Sequence, residues 1–175
     1  MRAALTRAVG EMEVVDVGDP LEPGEGEVIV RNEAVGLCGS DYHFLLGELT
    51  DAAGGSQFPR IQGHEVGATI AAVGPGCRPE LEIGRRVALY PLHACGHCYP
   101  CSVGRPNTCD NFELIGIHRD GGLQQLLRIG EAQVYPIDVD DGAVAALAEP
   151  LSVAVRAIHR SRLERGEKVV VLGAG

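Results

Sequence analysis

The sequence predicts a mainly β domain, a small barrel or sandwich, which passes near residue 140 into a helix and the opening of an α/β unit. Three observations predict it. Short apolar runs rich in Val, Ile and Ala recur between residues 28 and 129. Gly and Pro, 24 and 10 of the 175 residues, break those runs, as turns between short strands require. Beyond Asp140 the apolar spacing changes from strand-like to helical.

The first strand follows the turn-forming Glu22-Pro23-Gly24-Glu25-Gly26 and runs from Val28-Ile29-Val30 through Ala34-Val35. A second runs from Val66 to Val73 and is stopped by Gly74-Pro75-Gly76. Val87-Ala88-Leu89-Tyr90 forms a third, and Leu123 to Ile129 a fourth. Several strands at this spacing are what a barrel or sandwich requires. Asp140-Asp141 then offers a helix N-cap, and Val144, Leu147, Leu151, Val155 and Ile158 recur at helical spacing. Pro150 is expected to interrupt that helix and to bias Glu149 away from α geometry. After a turn at Gly166, Val169 to Leu172 reads as a strand leading into Gly173-Ala174-Gly175. The division expected is therefore 1–140 and 141–175.

Charge and composition narrow the function. Fifteen basic against 24 acidic residues give a net charge of -9, the opposite of the basic excess expected of a phosphate-binding nucleic-acid protein. The basic group Arg156, His159, Arg160, Arg162, Arg165 and Lys168 reads as the solvated face of a helix and its turn. No run reaches the ~18 apolar residues of a membrane span. The N-terminus lacks the apolar core and cleavage site of a signal peptide. A cytoplasmic protein is expected, with no nucleic-acid and no membrane partner. In a reducing compartment the six cysteines need a role other than disulfides.

Four of them lie in ACGHCYPCSVGRPNTC, where Cys95, Cys98, Cys101 and Cys109 follow C-x2-C-x2-C-x7-C. Four thiolates this close can enclose one tetrahedral zinc and leave it no open position, which makes the site structural. An iron–sulfur cluster is the rival use of four thiolates. His93 and His97 flank the loop and read as surface residues, Cys77 as a spare thiol, and His118-Arg119-Asp120-Gly121-Gly122 as a tight turn. A second, dispersed set comprises Cys38, Ser40, Asp41 and His43 in GLCGSDYH, His64 and Glu65 in IQGHEVG, and Glu149 in LAEPL. Each of these alone is a weak signal.

Taken in order, CGSDYH, GHEVGATIAAVGPG, the Cys95–Cys109 loop, HRDGG and AEPLSVAVRA resemble the zinc-dependent medium-chain dehydrogenases over essentially the whole chain. The EPL form of the third segment looks like the polyol, sugar-acid and threonine dehydrogenase branch; the liver-type alcohol dehydrogenases carry Cys there. The resemblance implies a chaperonin-10 (GroES)-like β-barrel catalytic domain, a connecting helix, and the first strand of a Rossmann domain cut short. It implies Cys38, His64 and Glu149 as ligands of a catalytic zinc, Glu149 directly or through water, and Cys95, Cys98, Cys101 and Cys109 as ligands of a structural zinc. Glu65 is implied to approach or enter the catalytic zinc's shell. Ser40 is implied as the hydroxyl that takes the substrate proton, Asp41 as the carboxylate that orients the ligand histidine, and His43 as the outer end of the proton relay or a substrate contact. Gly173 and Gly175 match the start of the cofactor fingerprint, whose third glycine and ribose-binding residue are not in the sequence.

The function so implied is oxidation of a secondary alcohol on a polyol, sugar acid or similar small molecule, with NAD or NADP, by a homo-oligomer when full length. The 175 residues alone are not expected to turn over. The rival expectations are a stand-alone zinc-binding β-barrel module without catalytic activity and a thiol-redox or zinc-sensing protein.

Overall fold

A computed structural model describes residues 1–49 and 57–173. Among them are ten strands: β1 Arg2–Ala8, β2 Glu11–Asp16, β3 Glu27–Gly36, β4 Arg60–Ile61, β5 Glu65–Val73, β6 Arg86–Leu89, β7 Leu92–His93, β8 Glu113–Leu114, β9 Leu126–Gly130 and β10 Val134–Pro136. Four helices accompany them: α1 Gly39–Leu45, α2 Tyr99–Ser102, α3 Gly142–Ala146 and α4 Ala148–Ser161. The strands form a five-stranded sheet in the order β10-β6-β5-β3-β9, a three-stranded sheet β2-β1-β4, and the ribbon β7-β8. All named pairings are antiparallel. No helix among the described residues is long and apolar enough to cross a membrane.

The mainly β expectation holds, and the core cluster is aliphatic. Val28, Val30, Val66, Ala68, Ile70, Val87, Leu89, Leu127, Ile129 and Val134 pack into one cluster from all five strands of the larger sheet. Burying each Val, Leu or Ile side chain stabilises the fold by about 1.5–3 kcal/mol. The predicted strands at Val28, Val66 and Val87 correspond to β3, β5 and β6. The fourth is shorter than its apolar run suggests. Leu123–Gln125 turns away to β1, where Ala4 N–H donates to Leu123 O (2.8 Å) and Gln125 N–H to Arg2 O (3.2 Å). Those three residues tie the two sheets together before β9 joins β3.

Two expectations about the C-terminal segment are corrected. Asp141 does cap a helix, its side chain accepting from Ala143 N–H at 2.7 Å. The helix, however, breaks at Leu147 and not at Pro150: α3 ends there, and α4 begins at Ala148. Pro150 falls in the first turn of α4, where a missing N–H would have had no intrahelical partner in any case. Glu149 is accordingly helical. Val169–Leu172 is not a strand, and its side chains are exposed. A strand exists only where a neighbour takes its backbone groups, and the described residues supply none there. The apolar positions Leu147, Leu151, Val155 and Ile158 are likewise exposed along α4.

α3 lies directly on β5 at Gly67. A Cβ there would run into Gly142 O and come within 2.7 Å of Ala146 N. Because both obstacles are backbone, Gly67→Ala must lift α3 off the sheet. Overpacking of this kind costs about 1–3 kcal/mol. A urea titration followed by circular dichroism should show that loss; an unchanged midpoint would mean that α3 is not seated as described.

Candidate metal centres

Among the described residues are two groups of metal-ligating atoms, each with its ligand atoms within 4.8 Å of one another: Cys95, Cys98, Cys101 and Cys109, and Cys38, His64 and Glu65. The first group occupies a lobe with little regular structure of its own. It leaves the barrel through β7, returns through β8, and contains α2 and a single 3-10 turn over Pro106–Thr108. Gly96 and Gly104 take positive φ values of 79° and 74°, which lets the chain fold back on itself between thiols. Cys98 Sγ lies 3.4 Å from Cys101 Sγ and 3.7 Å from Cys109 Sγ. Four sulfurs at about 2.3 Å from a tetrahedral zinc would stand roughly 3.8 Å apart, so the lobe fits that ion. Cys95 N–H and Asn111 N–H both donate to Cys109 Sγ, each at 3.3 Å.

The four thiols share charge unevenly. Backbone amides of His97 and Cys98 favour the Cys95 thiolate and bring its pKa down to about 6. Desolvation, and then the Cys98 and Cys109 sulfurs beside it, push Cys101 up to about 12. Thiolates in contact repel one another, and a dication at their centre removes the obstacle to ionising all four. His93 and His97 are not among these ligand atoms: both are exposed, and a ring nitrogen of His97 sits 2.8 Å from Cys95 O.

The second group is assembled from the ends of β3 and β5. Cys38 caps the N-terminus of α1 just beyond β3, and His64 and Glu65 stand at the start of β5. Asp41 joins the two segments. Its carboxylate accepts from Cys38 N–H (2.9 Å) and from Gly63 N–H (3.2 Å), and is 6% exposed. The same carboxylate faces His64 Nδ1 at 3.7 Å, longer than a hydrogen bond, so that buried nitrogen has no hydrogen-bond partner among the described residues. Ser40 Oγ lies 3.4 Å from the other ring nitrogen, Nε2. With Nδ1 turned to Asp41, Nε2 is the atom free to ligate, which is the arrangement a metal-binding imidazole takes.

In the metal-free chain the three groups stabilise one another's charges, and a metal ion takes the place of the His64 Nε2 proton. Burial favours neutral His64, yet Asp41 and the Cys38 sulfur outweigh it and raise the ring's pKa to about 9. Burial also opposes ionisation of Cys38 and Asp41; hydrogen bonds from Ser40 and charge on His64 bring Cys38 below the ordinary thiol range, and His64 with two backbone amides does the same for Asp41. A set prepared to carry a thiolate, a carboxylate and an imidazole suits a borderline divalent ion such as zinc.

Two other expected residues stand apart from this set. Glu149, on the first turn of α4, is not among the atoms within 4.8 Å of one another. It is close enough to feel both His64 and Glu65, and its carboxyl is held above the ordinary range by burial first and then by Glu65. His43 is exposed and pairs with Glu48 at 2.7 Å. Gly173 is exposed with φ 90°, and Gly175 lies outside the described residues.

Sequence reasoning missed the support beneath the second group. Thr6 Oγ1 donates to Gln62 Oε1 (2.7 Å), and Gln62 Nε2 donates to Asp41 O (2.7 Å), both side chains fully buried. A glutamine two residues before His64, between Ile61 and Gly63, was the available signal. HRDGG is more than a turn: Asp120 Oδ1 accepts from Ile61 N–H (3.0 Å), Gly121 N–H donates to Ile61 O and Gly122 N–H to Gly63 O, both at 2.7 Å. The segment carrying His64 is therefore braced by Asp41 and Gln62 on one side and by residues 120–122 on the other.

The described geometry has counterparts among known proteins. The family model for the alcohol dehydrogenase GroES-like domain matches residues 24–139. L-galactonate-5-dehydrogenase of Escherichia coli K12 is 37% identical over 157 residues, covering 87% of this chain and 44% of the relative. Sorbitol dehydrogenase of Bacillus subtilis 168 is 33% identical over 180 residues, covering 100% of this chain and 49% of the relative. Among solved structures, the alcohol dehydrogenase RspB of Escherichia coli CFT073, complexed with NADH, superposes with a TM-score of 0.82 at 32% identity, over 93% of this chain and 46% of that one. The chain thus spans about half the length of these relatives.

Proposed function

The chain belongs to the alcohol dehydrogenase GroES-like domain family, and from that premise we propose that it is the zinc-binding catalytic portion of a longer oxidoreductase that converts a secondary alcohol of a polyol or sugar acid to a ketone, with a nicotinamide nucleotide as hydride acceptor. The observation that carries this reading is the convergence of Cys38, His64 and Glu65 within 4.8 Å, with Ser40 Oγ 3.4 Å from His64 Nε2. Relatives named for galactonate and sorbitol support the substrate class.

Cys38 and His64 would hold the ion, with a carboxylate from Glu65 or Glu149 as the third protein ligand. Bound there, zinc supplies Lewis acidity toward a substrate hydroxyl. The remaining work falls to the chain. Ser40 Oγ, beside the ligand ring, receives the hydroxyl proton and hands it toward solvent, with His43 at the exposed end of the route. Asp41 keeps His64 Nδ1 protonated and Nε2 available. The loop thiolates take no part in the chemistry; they hold the lobe between β7 and β8.

The test uses the full-length enzyme with NAD+ or NADP+ and a panel of polyols and aldonates. Oxidation of a secondary alcohol is expected, and Ser40→Ala should lower kcat/KM by roughly 10²–10⁴-fold, the range of general acid–base contributions. No turnover of any secondary alcohol would overturn the assignment and leave a zinc-binding module.

A further inference from the structure

β3 and β5 run out side by side at the second metal centre, and the last paired residues of the two strands are Gly36 and Glu65. Gly36 does not have a positive φ, so its backbone does not call for glycine. Its surroundings do. A Cβ at Gly36 would overlap Glu65 Oε2 and stand 3.0 Å from Glu65 Cβ and 3.1 Å from Glu65 Cδ. The volume that any other residue would fill is occupied by the Glu65 carboxylate. In that position the carboxylate is within 4.8 Å of the ligand atoms of Cys38 and His64.

We propose that Gly36 is a positioning residue for this centre: by having no side chain it admits the Glu65 carboxylate to the ligand group. The three nearest atoms that a Cβ would meet here all belong to the side chain of Glu65. Rotation of that side chain to another staggered rotamer removes the overlap with Oε2 and Cδ and expels the carboxylate, and the contact with Glu65 Cβ at 3.0 Å is met by a shift of a few tenths of an ångström that preserves the β3–β5 pairing. Gly74 is the contrast: a Cβ there would meet the backbone of Gly24 and Glu27, so its substitution would disturb the fold. At Gly36, ligand geometry and folding separate.

The inference rests on the metal reading of this centre, and one experiment tells the two apart. Zinc release from the loaded chain to a chelator is followed in time, and the phase absent from Cys38→Ser is assigned to the Cys38 centre. Gly36→Ala should weaken zinc in that phase about tenfold, the lower end of what displaced supporting groups cost a metal site. Its circular dichroism spectrum should stay native, and its cobalt-substituted absorption should match that of Glu65→Ala. In a Glu65→Ala background, where no carboxylate remains to expel, Gly36→Ala should change the affinity no further. Unchanged affinity, additive losses in the double variant, or a Gly36→Ala chain that no longer folds would each overturn the role given to Gly36. A parent chain with no phase dependent on Cys38 would overturn the metal reading itself, and this inference with it.

Discussion

Cys98→Ser should release one zinc per chain and unfold the lobe between β7 and β8 while leaving the barrel folded. Structural zinc in small peptides binds with about 10–16 kcal/mol. Shared over four thiolates, that is about 2.5–4 kcal/mol each, so loss of one ligand should weaken the ion roughly 60- to 700-fold. The lobe has little to set against this. Its regular structure is a two-residue ribbon, the four residues of α2 and a three-residue turn. The barrel core draws on β3, β5, β6, β9 and β10 and includes no residue between 90 and 114. The failure should therefore be local: rapid amide exchange and protease cleavage across residues 94–112, with the cooperative melting of the barrel moved by only a few degrees. Cys77→Ser is the control. Cys77 packs against the core and donates to Glu27 O at 3.3 Å, and zinc content should not change with it. Retention of full zinc by Cys98→Ser would show that the four sulfurs do not hold one ion.

Some of this architecture was legible because it rests on local chemistry. β3, β5 and β6 appear in the sequence as apolar runs because each contains three successive buried residues, Val28 to Val30, Val66 to Ala68 and Val87 to Leu89. The four-cysteine loop is legible for a similar reason: its ligands are neighbours in sequence, and thiolate spacing alone limits what they can bind. The Asp141 cap is equally local. The misreadings share a different cause, which is dependence on distant partners. Leu123–Gln125 has a strand-like composition, but Arg2 and Ala4 draw its backbone to the other sheet. Val169–Leu172 has strand propensity with no strand beside it. Pro150 marked a break that Leu147 makes instead, because proline in a first turn costs no hydrogen bond.

The second metal centre shows the same division. Residue types pointed to Cys38 and His64, yet which carboxylate accompanies them depends on how β3, β5 and α4 meet. The strands bring Glu65 to the cluster, whereas α4 leaves Glu149 adjacent to it. Thr6 and Gln62, which brace Asp41 from beneath, lie 56 residues apart and share no local motif.

Asp41 is where the largest single-residue loss is expected. Replacing it by Ala leaves Cys38 N–H and Gly63 N–H without acceptors inside the protein. A stranded buried donor costs about 1–3 kcal/mol; the Gly63 donor is buried and the Cys38 donor part-buried, so Asp41→Ala should lose roughly 1–5 kcal/mol, or about 2–20 °C in Tm for a chain of this size. Asp41→Asn separates shape from charge. Asp41 uses both oxygens, one for Cys38 and the other for Gly63 and the face of His64 Nδ1. An amide has only one oxygen, so one of those donors must meet an NH₂ group. Where the NH₂ group takes the position facing His64 Nδ1, it favours the tautomer that carries the ring proton on Nε2 and cannot ligate. Zinc affinity at this centre should then fall about 10- to 100-fold.

The charge can be read separately in the metal-free chain. The His64 pKa is raised to about 9, so its pairing with Asp41 stabilises fully below the unfolded value of about 6.5 and is lost as pH rises through 9. The Asp41 pKa is lowered, so the same pairing is present above the unfolded value of about 3.9 and is lost as pH falls below it. Stability attributable to the pair should therefore be greatest between about pH 4 and 6.5. Urea midpoints of the chelated chain at pH 3, 5.5 and 9 should trace that maximum, and Asp41→Asn should flatten it. An Asp41→Asn profile parallel to the parent's would mean that the carboxylate acts at this site through its hydrogen bonds alone, with its charge contributing nothing to the hold on His64.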